Sequence, residues 1–295
     1  GAQSSLVVEG TLVAGAGYST KIRLSQLGTV EQSNTPIPVS RAQVRVVSGN
    51  GNSWLLPEKE FGVYEAYLDL PVNLTYQLTI QTTNGKLYES PLQAVVQTPE
   101  IDSVTWSYDQ VNLEIFAHTH DTKNSTRYYR WEYDETWESR AWYETYFDFQ
   151  NGSIITRPTG DQIFSCWKQD VSKGVIIGNS LSLSEDVISY QPVALIPRPS
   201  EKAYVRYSLL LRQIGLTKEA YNFWNLLKKN TELTGTLFDP QPSVLPTNVR
   251  CLNDTASKVI GFVSVATVSE KRMFVRNSQL PLWPYRNENL GCTAT

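Results

Sequence analysis

What this chain is short of narrows its chemistry first. Its 295 residues hold two histidines, three cysteines and one methionine. A metal site needs three or four ligands, and neither H-E-x-x-H nor C-x-x-C spacing is present. His118 and His120 stand two apart, on one side of any strand, where they could meet an ion together with Asp121. The plainer reading of His-Thr-His at a strand end is a solvated turn. There is no G-x-S-x-G elbow and no phosphate-binding P-loop, and Gly15-Ala16-Gly17 lacks the later glycine of a dinucleotide fingerprint. No catalytic residue, metal or cofactor is assigned on this basis. Net charge is -3, from 26 Lys and Arg against 29 Asp and Glu. With no Lys/Arg run longer than two, the basic footprint of a nucleic-acid binder is missing. No apolar run approaches the ~20 residues that cross a bilayer as a helix.

The cysteines, Cys166, Cys251 and Cys292, all lie in the second half. They allow three pairings and one bridge. Cys251 with Cys292 is the expected pair, since it would tether a Pro-, Trp- and Asn-rich tail from 280 to 295.

What the chain has in quantity is hydrophobic and aromatic side chains. Hydrophobic residues make up 41% and charged residues 19%, enough for packed cores in two domains. In the first hundred residues Ile22 and Leu24 alternate with Lys21 and Arg23, and Val44 and Val46 with Gln43 and Arg45. Tyr76, Leu78 and Ile80 do the same before Asn84-Gly85, a strong hairpin signal. Short alternating strands about ten residues apart predict an immunoglobulin-like β-sandwich over 1–99. The run PVSRAQVRVVSGNG…FGVYEAYLDL…YQLTIQTTNGKLYES resembles transthyretin-like and carboxypeptidase-regulatory sandwiches, which implies a spacer or docking module. Thr98-Pro99 marks the boundary.

Residues 100–295 predict a second β-sandwich-like domain carrying one inserted helix, so the chain as a whole is mainly β. Val111, Leu113, Ile115 and Ala117 share one side of a strand. Val205, Tyr207, Leu209 and Leu211 share a side of another. The helix follows at about 217–234. Thr217 is its N-cap, Glu219 lies in the first turn, Ala220, Phe223, Trp224 and Leu227 form an apolar stripe, and Gly235 ends it. Residues 154–199 read as a long loop.

Between 128 and 149 the sequence is dense in rings. Tyr129, Trp131 and Tyr133 are expected to face the core. Trp137, Trp142, Tyr143 and, further on, Trp167 are the candidates for contact with a glycan, a peptide or a partner protein, because flat rings bury large area at small entropic cost.

The segments LVVEGTLV, RYYRWEYDETWE, FSCWK, LSEDVI, IPRP, YSLLLRQIGLTKEAYNFWNLLKKNTELTGTLFDPQPS, NVRCLND and VIGFVSVATVSEKRMFV resemble a family of Bacteroidota outer-membrane lipoproteins, domain of unknown function 4249. The likeness spans nearly the whole chain and is most specific in the helix and the FDPQPS block. It implies a lipid-anchored place at the outer membrane, cell-surface or periplasmic, and a TonB-dependent receptor as partner. It supplies no catalytic residues. Three functions follow as expectations: a non-catalytic accessory module for substrate capture or transport, a structural subunit of an outer-membrane complex, and a hydrolase of glycans or peptides. The hydrolase would have its site near Asp239 or His118 and His120. Paired acids such as Glu132 with Glu138, or Glu185 with Asp186, would serve a glycosidase only at the right separation.

Overall fold

The computed structural model describes residues 5–26, 36–141, 143–158, 160, 163–232 and 245–284. Two β-sandwiches form, each from the period-two patterns read above. In the first, one sheet runs Val259–Ile260, Leu6–Val13, Ser19–Gln26, Val63–Tyr67, Glu58–Glu60. The facing sheet runs Arg250–Cys251, Leu87–Glu89, Thr75–Gln81, Gln43–Ser48, Ser53–Leu56. Ile22, Leu24, Val44, Val46, Tyr76, Leu78 and Ile80 all meet in the core between them, as alternation requires.

The boundary expected at residue 99 is crossed by both sheets of the first sandwich, which take strands from beyond residue 245. Residues 245–266 return to the first sandwich and place Val249, Cys251, Val263 and Val265 in its core. Ser264–Ala266 and Val259–Ile260 run parallel to Leu6–Val13. Gly261 lies between them at φ +136°, and a Cβ there would stand 2.0 Å from the Val8 carbonyl oxygen. Only glycine permits so close an approach. The assignment of 1–99 and 100–295 as separate units is corrected accordingly. A parallel strand pair needs a long crossover, so no local signal announces it.

The second sandwich sets Ile101–Tyr108, Asn112–Asp121 and Asp186–Pro197 against a larger sheet. That sheet runs Ser165–Val171, Tyr128–Arg140, Arg206–Leu216, Val268–Arg276, with Ile176–Asn179 also on Tyr128–Arg140. Counting its seven main strands in chain order, strands one, two and five face strands four, three, six and seven. This is an immunoglobulin-like arrangement. The expected loop at 154–199 is largely strand. Its 12-residue Asp186–Pro197 segment pairs the whole length of Asn112–Asp121, with register shifts where Pro192 interrupts.

The helix Lys218–Glu232 and the return segment are one long insertion between the last two strands. Thr217 Oγ1 accepts from Ala220 N–H at 3.2 Å, the N-cap the sequence predicted. Gly235 and Asp239 lie outside the described residues. Ala220 and Phe223 are buried, and Ala220 joins a small core with Ile214, Leu216 and Ala266 where the two sandwiches meet. Two of the three chain crossings run through that joint side by side. Val96 N–H donates to Val265 at 3.0 Å, Thr267 N–H to Val96 at 3.0 Å and Gly215 N–H to Thr98 Oγ1 at 2.9 Å.

Candidate functional site

The strand Tyr128–Arg140 sorts the aromatic candidates. It keeps period two for 13 residues, so Tyr129, Trp131, Tyr133, Glu135 and Trp137 all point between the sheets. Trp137 is therefore corrected from surface to core. It is 6% exposed, its Nε1 donates to Glu201 at 3.2 Å, and the Lys202 ammonium lies 4.9 Å above its ring. Asp134-Glu135 resembles a strand end in sequence. The strand passes through it because Glu135 finds Lys202 and the Tyr207 hydroxyl as partners. Trp142 lies outside the described residues. Tyr143 and Trp167 are exposed, and Trp167 lies beneath the Arg206 guanidinium at 5.1 Å.

Beyond that strand the chain leaves the sandwich as a β-arm. Among the described residues Phe147–Gln150 pairs only with Ser153–Thr156. Asn151 and Gly152, at φ 51° and 80°, make the two-residue turn. Asn-Gly between alternating apolar residues is the hairpin signal that could have found this arm. Phe147, Phe149 and Ile154 are 63%, 70% and 74% exposed, and Tyr143 and Tyr146, just before the arm in the chain, are exposed too. Inside the arm Asp148 pairs with Arg157 at 3.3 Å. A lone two-stranded hairpin gains little stability from itself. This one sets exposed Phe149 opposite exposed Ile154, and exposed apolar groups held together are what mark an interaction site.

The opposite face of the same sheet, together with the outer face of the first sandwich, encloses a groove of about 820 Å³. The Arg130 guanidinium stacks 4.4 Å from the centroid of Trp224 and pairs with Glu132 at 3.3 Å. Arg212 donates to Glu270 at 2.6 Å and to Asp134 at 2.5 Å, and these contacts drive its pKa above the usual arginine value. Burial, then the Glu270 charge, raises the Tyr18 phenol. Both shifts move away from neutrality.

The remaining chemical candidates are separated. His118 Nδ1 accepts from the Tyr190 backbone N–H at 3.4 Å, and its Nε2 lies 2.7 Å from Thr105 Oγ1. His120 Nδ1 is 2.8 Å from both Asp102 oxygens, and that pairing raises its pKa. Asp121 turns to the N–H groups of Lys123, Ser125 and Thr126 at 2.8–2.9 Å. Among the described residues no three His, Cys, Asp or Glu side chains are grouped to hold a metal. Glu132 faces the groove while Glu138 is buried under two arginines. Asp186 is buried against Ser180 and Tyr129. Cys166 and Cys251 carry free thiols; Cys292 lies outside the described residues.

Two immunoglobulin-like sandwiches with a hydrogen-bonded joint, an outlying aromatic arm and a paired-charge groove define a protein of the β-sandwich class. The chain belongs to the family described as Domain of unknown function (DUF4249), whose model matches residues 2–272. No curated protein matches it. Among solved structures it is similar to a two fibronectin type-III domain segment from chicken tenascin, at 10% identity, covering 73% of this chain and 92% of that one, with a TM-score of 0.21. It is also similar to trypsin-activated alpha-2-macroglobulin from Escherichia coli, at 8% identity, covering 74% of this chain and 15% of that one, with a TM-score of 0.22. Among the described residues no helix is long and apolar enough to cross a membrane.

Proposed function

We propose that this protein is a non-catalytic binding module of the cell envelope, lipid-anchored at the outer membrane, whose arm docks on a TonB-dependent receptor during substrate capture or transport. The envelope setting and the receptor come from the family resemblance. The docking role is carried by one observation: Phe147, Phe149 and Ile154 stand exposed on a hairpin that, among the described residues, pairs with no other strand. A docked partner would bury these side chains, each worth about 1.5–3 kcal/mol on full burial.

The test is photocrosslinking from p-benzoylphenylalanine at position 149 in the native membrane, with the adduct identified by mass spectrometry. The expected product is a single β-barrel receptor, lost when Phe147 and Ile154 are replaced by Asp in the same chain. Crosslinking that survives those replacements, or none from position 149, overturns the reading.

A further inference from the structure

The outer face of the larger second-domain sheet ends in a row drawn from four neighbouring strands. Trp167 stands opposite Glu138 in one strand pair, and Arg206 opposite Arg276 in another. Arg206 Nε closes the row by donating to Glu138 Oε2 at 2.8 Å. Arg140 Nε and the Ser165 hydroxyl both donate to the other carboxylate oxygen at 2.8 Å. The Glu138 side chain is 3% exposed. One buried carboxylate thus orients two guanidiniums through their Nε edges, and Phe164 and Trp167 stack on them.

Above the row lies a pocket of about 470 Å³, lined by Arg140, Arg206, Arg276, Phe164, Tyr204 and Asn277 among others, and none of the described residues on its walls is a carboxylate. Folding alone does not account for two of its features. Arg206 and Arg276 are direct cross-strand neighbours, and like charges so placed destabilise a sheet. Glu138 answers Arg206, but Arg276 forms no ion pair among the described residues. Arg276 therefore adds to this concavity a positive charge that no acid among the described residues pairs.

We propose that this pocket binds a phosphate monoester. A carboxylate is planar and satisfied by one guanidinium fork. Three guanidiniums from three strands suit a tetrahedral dianion with three terminal oxygens, and arginine is the residue of choice for such groups. Phe164 and Tyr204 provide a wall for whatever carries the phosphate. The carrier is a sugar, a lipid headgroup or nothing but the free ion.

Calorimetric titration of the whole chain separates these. Glucose 6-phosphate, inorganic phosphate and glucuronate are compared, alongside sedimentation with phosphatidylcholine vesicles with and without phosphatidic acid. The expected result is binding of at least one phosphate probe about tenfold or more above glucuronate. The probe that binds most tightly identifies the carrier. Arg276→Ala should weaken binding about ten- to a hundredfold, the range for one charged hydrogen-bonding group, without lowering the unfolding midpoint. Glu138→Gln discriminates further. A pocket that merely attracts anions would bind more tightly once the acid is gone, whereas one whose guanidiniums are oriented by Glu138 binds more weakly. No response to any phosphate probe, unchanged affinity in Arg276→Ala, or tighter binding in Glu138→Gln overturns the proposal.

Discussion

Gln213 shows how a single polar side chain can hold a core together. It is fully buried, accepts from Trp131 Nε1 at 2.8 Å, and donates to the Pro99 carbonyl at 3.0 Å and to Thr119 Oγ1 at 2.9 Å. It thereby ties both sheets of the second sandwich to the joint. Gln213→Leu keeps the volume but leaves an indole N–H and a carbonyl unpartnered. Urea denaturation should show a loss of about 2–4 kcal/mol. His120 offers a second test at this scale. Asp102 raises its pKa above the ordinary 6.5. A raised folded-state value means the pair stabilises the fold below pH 6.5 and loses that contribution as pH climbs through the folded pKa. An NMR titration should place the His120 midpoint above 6.5, and Asp102→Asn should bring it down.

At the scale of elements, strand length decides what a side chain does. Tyr128–Arg140 carries Trp137 into the core only because it continues past Asp134, and where the strand ends the arm begins. Among the described residues, none of 147–156 belongs to a hydrophobic core. Replacing residues 147–156 with a short Gly-Ser turn should therefore leave the urea midpoint of the sandwiches within about 0.5 kcal/mol of the parent, as for surface changes generally. The same deletion should abolish receptor crosslinking from Tyr143. A large drop in stability would show that the arm packs on the body. Much of this level was legible beforehand. The helix start at Thr217, the inward set Tyr207, Leu209 and Leu211, and the hairpin at Asn84-Gly85 are local signals. Asp186–Pro197 was not, because Pro192 and the irregular register break its alternation.

At the scale of the whole molecule, the first sandwich is incomplete until the chain has built most of the second. Val249, Cys251, Val263 and Val265 fill its core from residues more than 150 positions away. A fragment of residues 1–99 should therefore lack a cooperative thermal transition by circular dichroism and show a poorly dispersed NMR spectrum. A sharp two-state melt of that fragment would show the return segment to be decoration. The two crossings at Val96–Thr98 and Val265–Thr267 bond to each other, so the groove between the sandwiches has a braced hinge, not a single-strand tether.

By itself the sequence determined the local alphabet of this protein. Alternation wrote the strands, Thr217 began the helix, and the family resemblance was carried by contiguous segments. These are properties of neighbouring residues, where side-chain period and backbone preference act directly. Tertiary structure alone decided which rings became surface, that residues 245–266 belong to the first sandwich, and that Arg140, Arg206 and Arg276 converge on one pocket. Such outcomes depend on strand register and parallel pairing between distant segments, and no short window of sequence encodes them.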